Sequence, residues 1–208
     1  MIIAVDGPLA SGKGTIARAL AAHFGLPYLD TGSLYRATGL AVIEGGLNPT
    51  NAEACAKAAR SLDINRIDEA QIRTAEAGAM ASKVAVIPAV RQALYELQRA
   101  FATQAGGAIL DGRDIGTVIC PDADVKLYVT ADSETRARRR WQELTARGET
   151  ISLSDMLTQT RERDLRDAER ADAPMRPADD ATLLDTSSLS IDAAVTEAVE
   201  IVEKRQKA

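Results

Sequence analysis

The sequence is poor in the side chains on which several classes of protein depend. It has one histidine and one tryptophan, and aromatic residues make up only 3% of the chain. So few aromatic rings leave few platforms for stacking single-stranded nucleic acid. The only histidine, His23, lies in a predicted helix as a packing residue, so we expect no histidine-based catalysis and no Ser-His-Asp triad.

Cysteine and long apolar runs are also scarce, and acidic residues outnumber basic ones. Cys55 and Cys120 lie far apart without metal-ligand spacing, which favours two reduced thiols in a cytoplasmic protein over a disulfide. No apolar run approaches the roughly 18 residues of a membrane span. The net charge of −5 argues against general binding to nucleic acid or anionic membranes. Any anion site must therefore be a local cluster of Arg and Lys.

Short apolar runs alternate with helical stretches, which is typical of an α/β fold with a parallel sheet flanked by helices. The predicted strands are residues 2–5, 27–29, 108–110, 125–130 and 182–184. Four of them run directly into an aspartate, namely Asp6, Asp30, Asp111 and Asp185. Because ligands of open α/β sheets bind beyond the carboxyl ends of strands, we expect the functional residues there.

Capping residues indicate where several helices begin and end. The predicted signals are Gly25 ending a helix over residues 15–24, a capping box of Thr50 and Glu53, Pro88 at a first helical position, Ser152 capping a helix to about Arg170, and Ser190 capping the last helix. The apolar stripes of these helices are interpreted as core.

A glycine-rich segment between the first strand and the first helix is the strongest motif. It comprises Gly7, Pro8, Leu9, Ala10, Ser11, Gly12, Lys13, Gly14 and Thr15. Glycines let the backbone wrap phosphate groups, successive N–H groups bind anions, and the helix N-terminus adds its positive end. Lys13 can reach the β- and γ-phosphates of ATP, and Thr15 offers a hydroxyl near the accompanying metal ion.

The motif departs from its usual form at one position. Ser or Thr normally follows the lysine directly, but here Gly14 intervenes before Thr15. This GKGT form is associated with nucleoside monophosphate kinases, and it leaves open whether Thr15 contacts the metal directly or through water. The alternative, a strand-to-helix turn that binds nothing, is disfavoured by the strand, lysine and helix around it.

Arginines follow two of the strand ends, as a kinase acceptor site requires. Arg36 lies one helical turn beyond the second strand, and Arg113 lies between Asp111 and Asp114. Guanidinium groups at these places can screen the charge of two phosphate-bearing substrates. The alternative without a role in ligand binding is that Asp114 simply pairs with Arg113.

Two further groups of charged residues lie late in the chain. The spacing i, i+4 and i+7 places Arg163, Asp167 and Arg170 on one helix face, which offers two guanidinium forks and one carboxylate. A solvated face with intrahelical pairs is the alternative. The run Arg136, Arg138, Arg139 and Arg140 is similarly either a surface run or part of a mobile lid over ATP.

These segments together resemble the bacterial cytidylate kinase family over nearly the whole chain. The matching segments are residues 6–8, 12–15, 28–36, 72–74, 81–85, 111–117, 161–170, 173–174 and 184–186. The resemblance implies a P-loop kinase with a five-stranded parallel sheet. It also implies one domain over residues 1–208, with an acceptor-binding insert at about 36–100 and a lid at about 139–165.

The resemblance also implies the reaction and the residues that carry it. The reaction is transfer of the γ-phosphoryl group of ATP, bound with Mg²⁺, to CMP or dCMP. A cytoplasmic monomer is the default expectation for such a chain, and its charge and composition favour neither nucleic-acid nor membrane partners. The implied catalytic residues are Lys13, Arg36, Arg113 and Arg170. The implied acceptor-binding residues are Thr31, Arg36, Ser82, Arg91, Asp111, Arg113, Asp114, Arg163, Asp167 and Arg170, and Arg139 is placed near the adenine or the lid.

The sequence departs from this family in the insert, which usually carries a few strands before the segment at residues 72–74. Residues 61–71 are too few for such hairpins, so we expect a trimmed and mainly helical insert. Rival interpretations are a kinase for UMP, dTMP or a hydroxylated metabolite, and a nucleotide-dependent switch. A GTP switch would need an Asn-Lys-x-Asp guanine reader, which the sequence lacks.

Overall fold

A computed structural model describes residues 1–206, apart from the side chain of Asn65. The chain forms two compact units. The core unit contains residues 1–29 and 102–206, and the helical unit contains residues 30–101. The predicted insert at about residues 36–100 falls within the helical unit. That the chain works as a single kinase domain stays a prediction.

A five-stranded sheet organises the core unit. Its strands are β1 (Ile2–Asp6), β2 (Tyr28–Asp30), β3 (Ala108–Gly112), β4 (Val125–Thr130) and β5 (Thr182–Asp185), in the order β2-β3-β1-β4-β5. β1 runs parallel to β3 and β4, and β4 runs parallel to β5. The predicted parallel α/β architecture is therefore confirmed, and the four aspartates lie within the final residues of their strands.

The central position of β1 determines where the functional loops lie. Ile3, Ala4 and Val5 are fully buried, as expected for a strand covered on both faces. β1 pairs with β3 so that Val5 lies beside Asp111. Because both strands point the same way, the loops that leave their carboxyl ends emerge next to each other.

The helices are α1 (Lys13–Phe24), α2 (Thr31–Glu44), α3 (Ala52–Arg60), α4 (Glu69–Ile72), α5 (Ala75–Val84), α6 (Pro88–Ala102), α7 (Ser133–Ala146), α8 (Leu153–Ala168) and α9 (Ile191–Gln206). Short helical turns occupy Ile64–Arg66 and Ile115–Ile119, the latter with π-helical geometry. Within residues 1–206, none of the helices combines the length and apolarity that crossing a bilayer requires.

Most of the capping predictions are confirmed. Gly25 ends α1 in the left-handed conformation with φ of 65°, and the hydroxyl oxygens of Ser152 and Ser190 accept hydrogen bonds in the first turns of α8 and α9. The capping box at Thr50 is wrong by one residue, because Asn51 caps α3 by accepting from the Ala54 N–H.

The helical unit is built around the pairing of α2 with α5. Gly39 makes this close approach possible, since a Cβ there would lie 2.9 Å from the backbone nitrogen of Ala81. The residues between 31 and 101 that the structure describes contain no strand. The prediction of a mainly helical insert is therefore confirmed.

Candidate active site

The glycine-rich loop has the backbone geometry of a phosphate cradle. Gly7, directly after β1, has φ of 148°, and a Cβ there would lie 1.9 Å from the carbonyl oxygen of Val129, so only glycine fits. The Gly12 carbonyl accepts from the N–H groups of Thr15 and Ile16, and α1 begins at Lys13. The ammonium group of Lys13 lies 3.4 Å from the Pro8 carbonyl oxygen. The positive N-terminus of α1 and Lys13 therefore belong to one compact loop.

A buried hydroxyl within this loop is available to a ligand. Ser11 is fully buried, and its Oγ has no hydrogen-bond partner among the residues that the structure describes. Because an unsatisfied buried polar group is costly, such an atom suits a site that is completed by a polar ligand.

A cavity of about 270 Å³ lies beside the loop, within the core unit. It is lined by Ala10, Gly12, Thr15, Ile16, Arg139, Glu143, Thr186, Leu189, Ser190, Ile191 and Ala194. Its walls are largely apolar and include a few polar groups, a composition that suits a nucleobase.

Arg139 is fixed at the wall of this cavity. Its guanidinium donates to the hydroxyl oxygen of Thr186 at 3.0 Å and to the Thr186 carbonyl at 2.7 Å. The Thr186 hydroxyl in turn lies 2.8 Å from the Ser11 carbonyl oxygen of the glycine-rich loop. Sequence reasoning used Thr186 only as part of a matching segment, so this link was missed.

The arginine run on α7 is not simply a surface run. Arg136 is only 5% exposed and pairs with Asp164 on α8, whereas Arg140 pairs with Glu143 on its own helix. α7 and α8 pack through a small apolar cluster that includes Leu144. The surface-run alternative is therefore wrong for Arg136, and no pattern in the sequence distinguished it from its neighbours.

Asp6, the last residue of β1, fastens the loop that follows β3. Its carboxylate accepts from the N–H groups of Ile115 at 2.8 Å and Gly116 at 2.7 Å, directly after the predicted acceptor residues Arg113 and Asp114. Burial raises the pKa of Asp6 to about 7, although these two hydrogen bonds and Lys13 act in the opposite direction. Sequence reasoning noted the aspartate but not this role.

The buried carboxylate of Asp167 contacts two of the arginines that were predicted to bind the acceptor. Arg113 Nε donates to Asp167 at 2.5 Å, and Arg163 Nε lies 3.9 Å from the same carboxylate. Burial alone would raise the pKa of Asp167, but the charges of Arg113 and Arg163 outweigh it and hold the pKa below its ordinary value. The helix face is therefore not solvated at Asp167, although the intrahelical pair of Arg163 with Asp167 that the alternative predicted is present.

Arg170 lies near this cluster, but on the loop after α8 and not on the helix as predicted. α8 ends at Ala168, so Arg170 does not lie on its face at i+7. The chain leaves the helix after Glu169 and Arg170 turns back, donating from Nε to the Asp167 carbonyl at 3.2 Å. The predicted residues are brought together, although one of them is on a loop.

Asp111 lies beside Tyr28 and the glycine-rich loop. The hydroxyl of Tyr28 donates to its carboxylate at 2.5 Å, and the other carboxylate oxygen lies 3.7 Å from where a Cβ on Gly14 would be. The neighbouring Asp114 is buried, and its carbonyl accepts from Val118 and Ile119 in the π-helical turn. The acceptor role of Asp111 stays a prediction, and its surroundings suit the phosphate-binding loop better.

The helical unit contains the remaining predicted residues. Thr31 begins α2 and is buried, Ser82 is buried on α5, and Arg91 is buried on α6. Arg36 donates to Asp30 at 2.6 Å, and Asp30 also caps α2. Arg36 is therefore held by the residue that begins its own helix.

In the core unit, the central strand β1 leads into the glycine-rich loop, and Arg113 follows the neighbouring strand β3. This arrangement defines the class of P-loop kinases. Solved structures share this fold, among them a sugar kinase from Janibacter sp. HTCC2649 with a TM-score of 0.52, 14% identity and coverage of 97% of this chain and 94% of that one. A gluconokinase from Sinorhizobium meliloti 1021 has a TM-score of 0.51 and 14% identity, with coverage of 99% and 93%.

The cytidylate kinase family model matches residues 3–204. A cytidylate kinase from Methylocella silvestris is 58% identical over 203 residues, which cover 98% of this chain and 94% of the relative. A cytidylate kinase from Cereibacter sphaeroides is 57% identical over 204 residues, with coverage of 98% and 96%. The chain belongs to the cytidylate kinase family.

Proposed function

We propose that this protein transfers the γ-phosphoryl group of ATP to CMP or dCMP, giving ADP and CDP or dCDP. The observation that carries the proposal lies within the core unit. The glycine-rich loop after β1 and the Arg113 loop after β3 leave neighbouring strand ends, with Val5 beside Asp111. Family membership supports the same reaction.

ATP is the donor in this proposal, and the glycine-rich loop binds its phosphates. Lys13 and the loop N–H groups offset the charge of the β- and γ-phosphates. The cavity beside Arg139 and Thr186 takes the adenine, because its apolar walls suit a flat ring.

A magnesium ion fits this donor site. Among the described residues no three His, Cys, Asp or Glu side chains are grouped as metal ligands. Magnesium in kinases is held largely by phosphates and water, with one or two protein oxygens. Thr15, exposed in the first turn of α1, and Asp111, beside Gly14, are the residues that would hold it, directly or through water. Its chemistry there is to neutralise negative charge on the phosphates.

The residues that the sequence predicted for the acceptor are proposed to bind it. Near its phosphate we place Thr31, Arg36, Arg113 and Arg170, near its sugar Arg163 and Asp167, and at the cytosine Ser82, Arg91 and Asp114. Cytosine has an exocyclic amine where uracil has a carbonyl oxygen, so a carboxylate such as Asp114 favours cytosine. A buried group left without a partner makes such discrimination large.

The transfer is in line and forms no covalent enzyme intermediate. Because the acceptor is itself a phosphate, it needs no strong general base, and positioning and charge stabilisation supply most of the catalysis. We further propose that the lid at about residues 139–165 closes over the substrates and excludes water, mainly through the segment between α7 and α8, and that the enzyme is a cytoplasmic monomer.

An acceptor panel tests this proposal. ADP formation from ATP·Mg²⁺ is measured with CMP, dCMP, UMP, AMP or dTMP offered separately. We expect CMP and dCMP to be strongly preferred. Preference for another nucleotide would overturn the cytosine assignment, and ADP formation that none of the five nucleotides increases would overturn the whole acceptor assignment.

A further inference from the structure

Arg136 is a buried arginine that binds three separate segments of the core unit. Its Nε donates to the carbonyl of Ala131, the residue directly after β4, at 2.8 Å. Its Nη1 donates to the Leu9 carbonyl in the glycine-rich loop at 3.3 Å. Both terminal nitrogens bind the Asp164 carboxylate, at 3.0 and 2.6 Å. A planar guanidinium can hold all three segments together, whereas a lysine ammonium cannot reproduce this fork.

The partners of Arg136 lie next to the proposed ATP site and the proposed acceptor site. Leu9 is in the loop that binds the donor phosphates. Asp164 is on α8, and Asp167, one helical turn further on, lies on the same face. Asp167 is bound in turn by Arg113. Hydrogen bonds and one rigid helix therefore connect the donor loop to the acceptor cluster without a break.

We propose that Arg136 is a positioning residue for phosphoryl transfer, which keeps the donor loop and α8 in a fixed relative geometry through Leu9 and Asp164. The kinetic part of this inference rests on the proposed function.

Stability alone is a weak reason for this ion pair, in which Arg136 is buried and Asp164 is partly buried. Replacing a buried ion pair by apolar side chains of similar size is often neutral or stabilising. A small misplacement of reacting groups, in contrast, greatly slows transfer between two substrates. The bond to Leu9 joins Arg136 to the donor loop, which is not part of the contact between α7 and α8.

The first test compares Arg136→Lys with a matched control at an exposed pair. Arg161 and Glu134 also join α8 to α7, but both side chains are more than half exposed and their bond does not involve the loop. In Arg136→Lys we expect kcat with saturating ATP and CMP to fall about tenfold or more, with each KM changed less than about threefold. The double variant Glu134→Gln/Arg161→Lys should match the wild type. A melting temperature that falls in Arg136→Lys while kcat stays within about twofold of the wild type would overturn the inference.

The second test does not depend on activity. Amide hydrogen exchange is followed in the substrate-free protein, and we expect Arg136→Lys to exchange faster at both residues 9–12 and residues 163–167. Unchanged exchange at residues 9–12 would overturn the inference. If the wild type transfers no phosphate to CMP, the proposed function fails, and this measurement still decides the role of Arg136.

A double variant keeps the test valid if Arg136→Lys does not fold. Arg136→Met/Asp164→Leu removes both charges and keeps similar volumes, so it should fold. It also lacks the bond to Leu9. We expect the same loss of kcat and the same faster exchange at residues 9–12, and wild-type values for both would overturn the inference.

Discussion

A single buried carboxylate shows how much the function of an arginine depends on its neighbours. Asp167 is only 5% exposed, and it stays ionised because Arg113 and Arg163 surround it. In turn, it fixes Arg113 through a hydrogen bond of 2.5 Å. The sequence alone does not tell these arginines apart. The structure does, because a buried carboxylate orients some of them.

Arg36 provides the sharpest test among the proposed acceptor residues. Arg36→Ala removes a guanidinium that we place at the acceptor phosphate, so kcat/KM should fall about a hundredfold, or about 3 kcal/mol in transition-state stabilisation. The free energy of unfolding should change by only about 1 kcal/mol, because Asp30 still caps α2. Initial rates and urea unfolding of the same preparation measure both quantities.

The exposed Arg60 is the control for this variant. It pairs with Glu53 on α3 in the same helical unit, and we assign it no function. Arg60→Ala should keep wild-type rates. Wild-type activity in Arg36→Ala would contradict the assignment of Arg36.

Asp6 should make stability depend on pH. Its pKa is 3.8 in the unfolded reference and about 7 in the folded protein. As pH rises, the unfolded chain ionises first while the folded protein still keeps the carboxyl group neutral. The stability that Asp6 contributes is therefore complete below pH 3.8 and is lost as pH rises through about 7. Between pH 5 and 8 this loss should be about 2–3 kcal/mol.

Asp6→Asn removes this ionisation, so its free energy of unfolding should fall less from pH 5 to 8 than that of the wild type. Urea unfolding at the two pH values measures the difference. Asp192→Asn changes an exposed aspartate of α9 and should follow the wild type. Parallel pH profiles for Asp6→Asn and the wild type would show that Asp6 is ionised throughout this range.

At the scale of elements, the contact between α2 and α5 depends on one missing side chain. In Gly39→Ala, the new Cβ would lie 2.9 Å from the Ala81 nitrogen and 3.2 Å from the Ala77 carbonyl oxygen, so the helices must move apart. We expect a loss of about 1–3 kcal/mol in the free energy of unfolding. Chemical denaturation measures it.

Gly78 on α5 is the matched control, because a Cβ there meets no atom within 4 Å. Gly78→Ala should stabilise the protein by about 0.5–1 kcal/mol, since alanine favours the helix. If Gly39→Ala were as stable as Gly78→Ala, the close packing of α2 on α5 would be contradicted.

Element positions were predictable where a local rule decides them. The strands are short apolar runs, and Gly25, Ser152 and Ser190 have standard capping roles. The end of α8 was not predictable, because helical spacing continued to fit Arg170 after the chain had left the helix. The cap of α3 was predicted one residue too early, because Thr50 and Asn51 are both good capping residues. In the structure the Thr50 hydroxyl donates to Asn48, and Asn51 caps the helix.

At the scale of the whole molecule, the sequence indicated which residues to consider but not their partners. The glycine-rich loop could be identified because its conformation requires glycine at fixed places. The connections made by Arg136, Asp6 and Thr186 join residues more than 100 positions apart, and no spacing rule covers them. Such contacts follow from the order of strands in the sheet, which short motifs do not contain.

The fate of the terminal phosphate of ATP tests the central claim most directly. ATP labelled in its γ-phosphate is incubated with Mg²⁺ and the protein, with and without CMP, and the label is followed into CDP and inorganic phosphate. We expect the label in CDP when CMP is present and almost none in inorganic phosphate in either reaction. Equal release of labelled phosphate with and without CMP, and none in CDP, would contradict the account and indicate an ATPase instead.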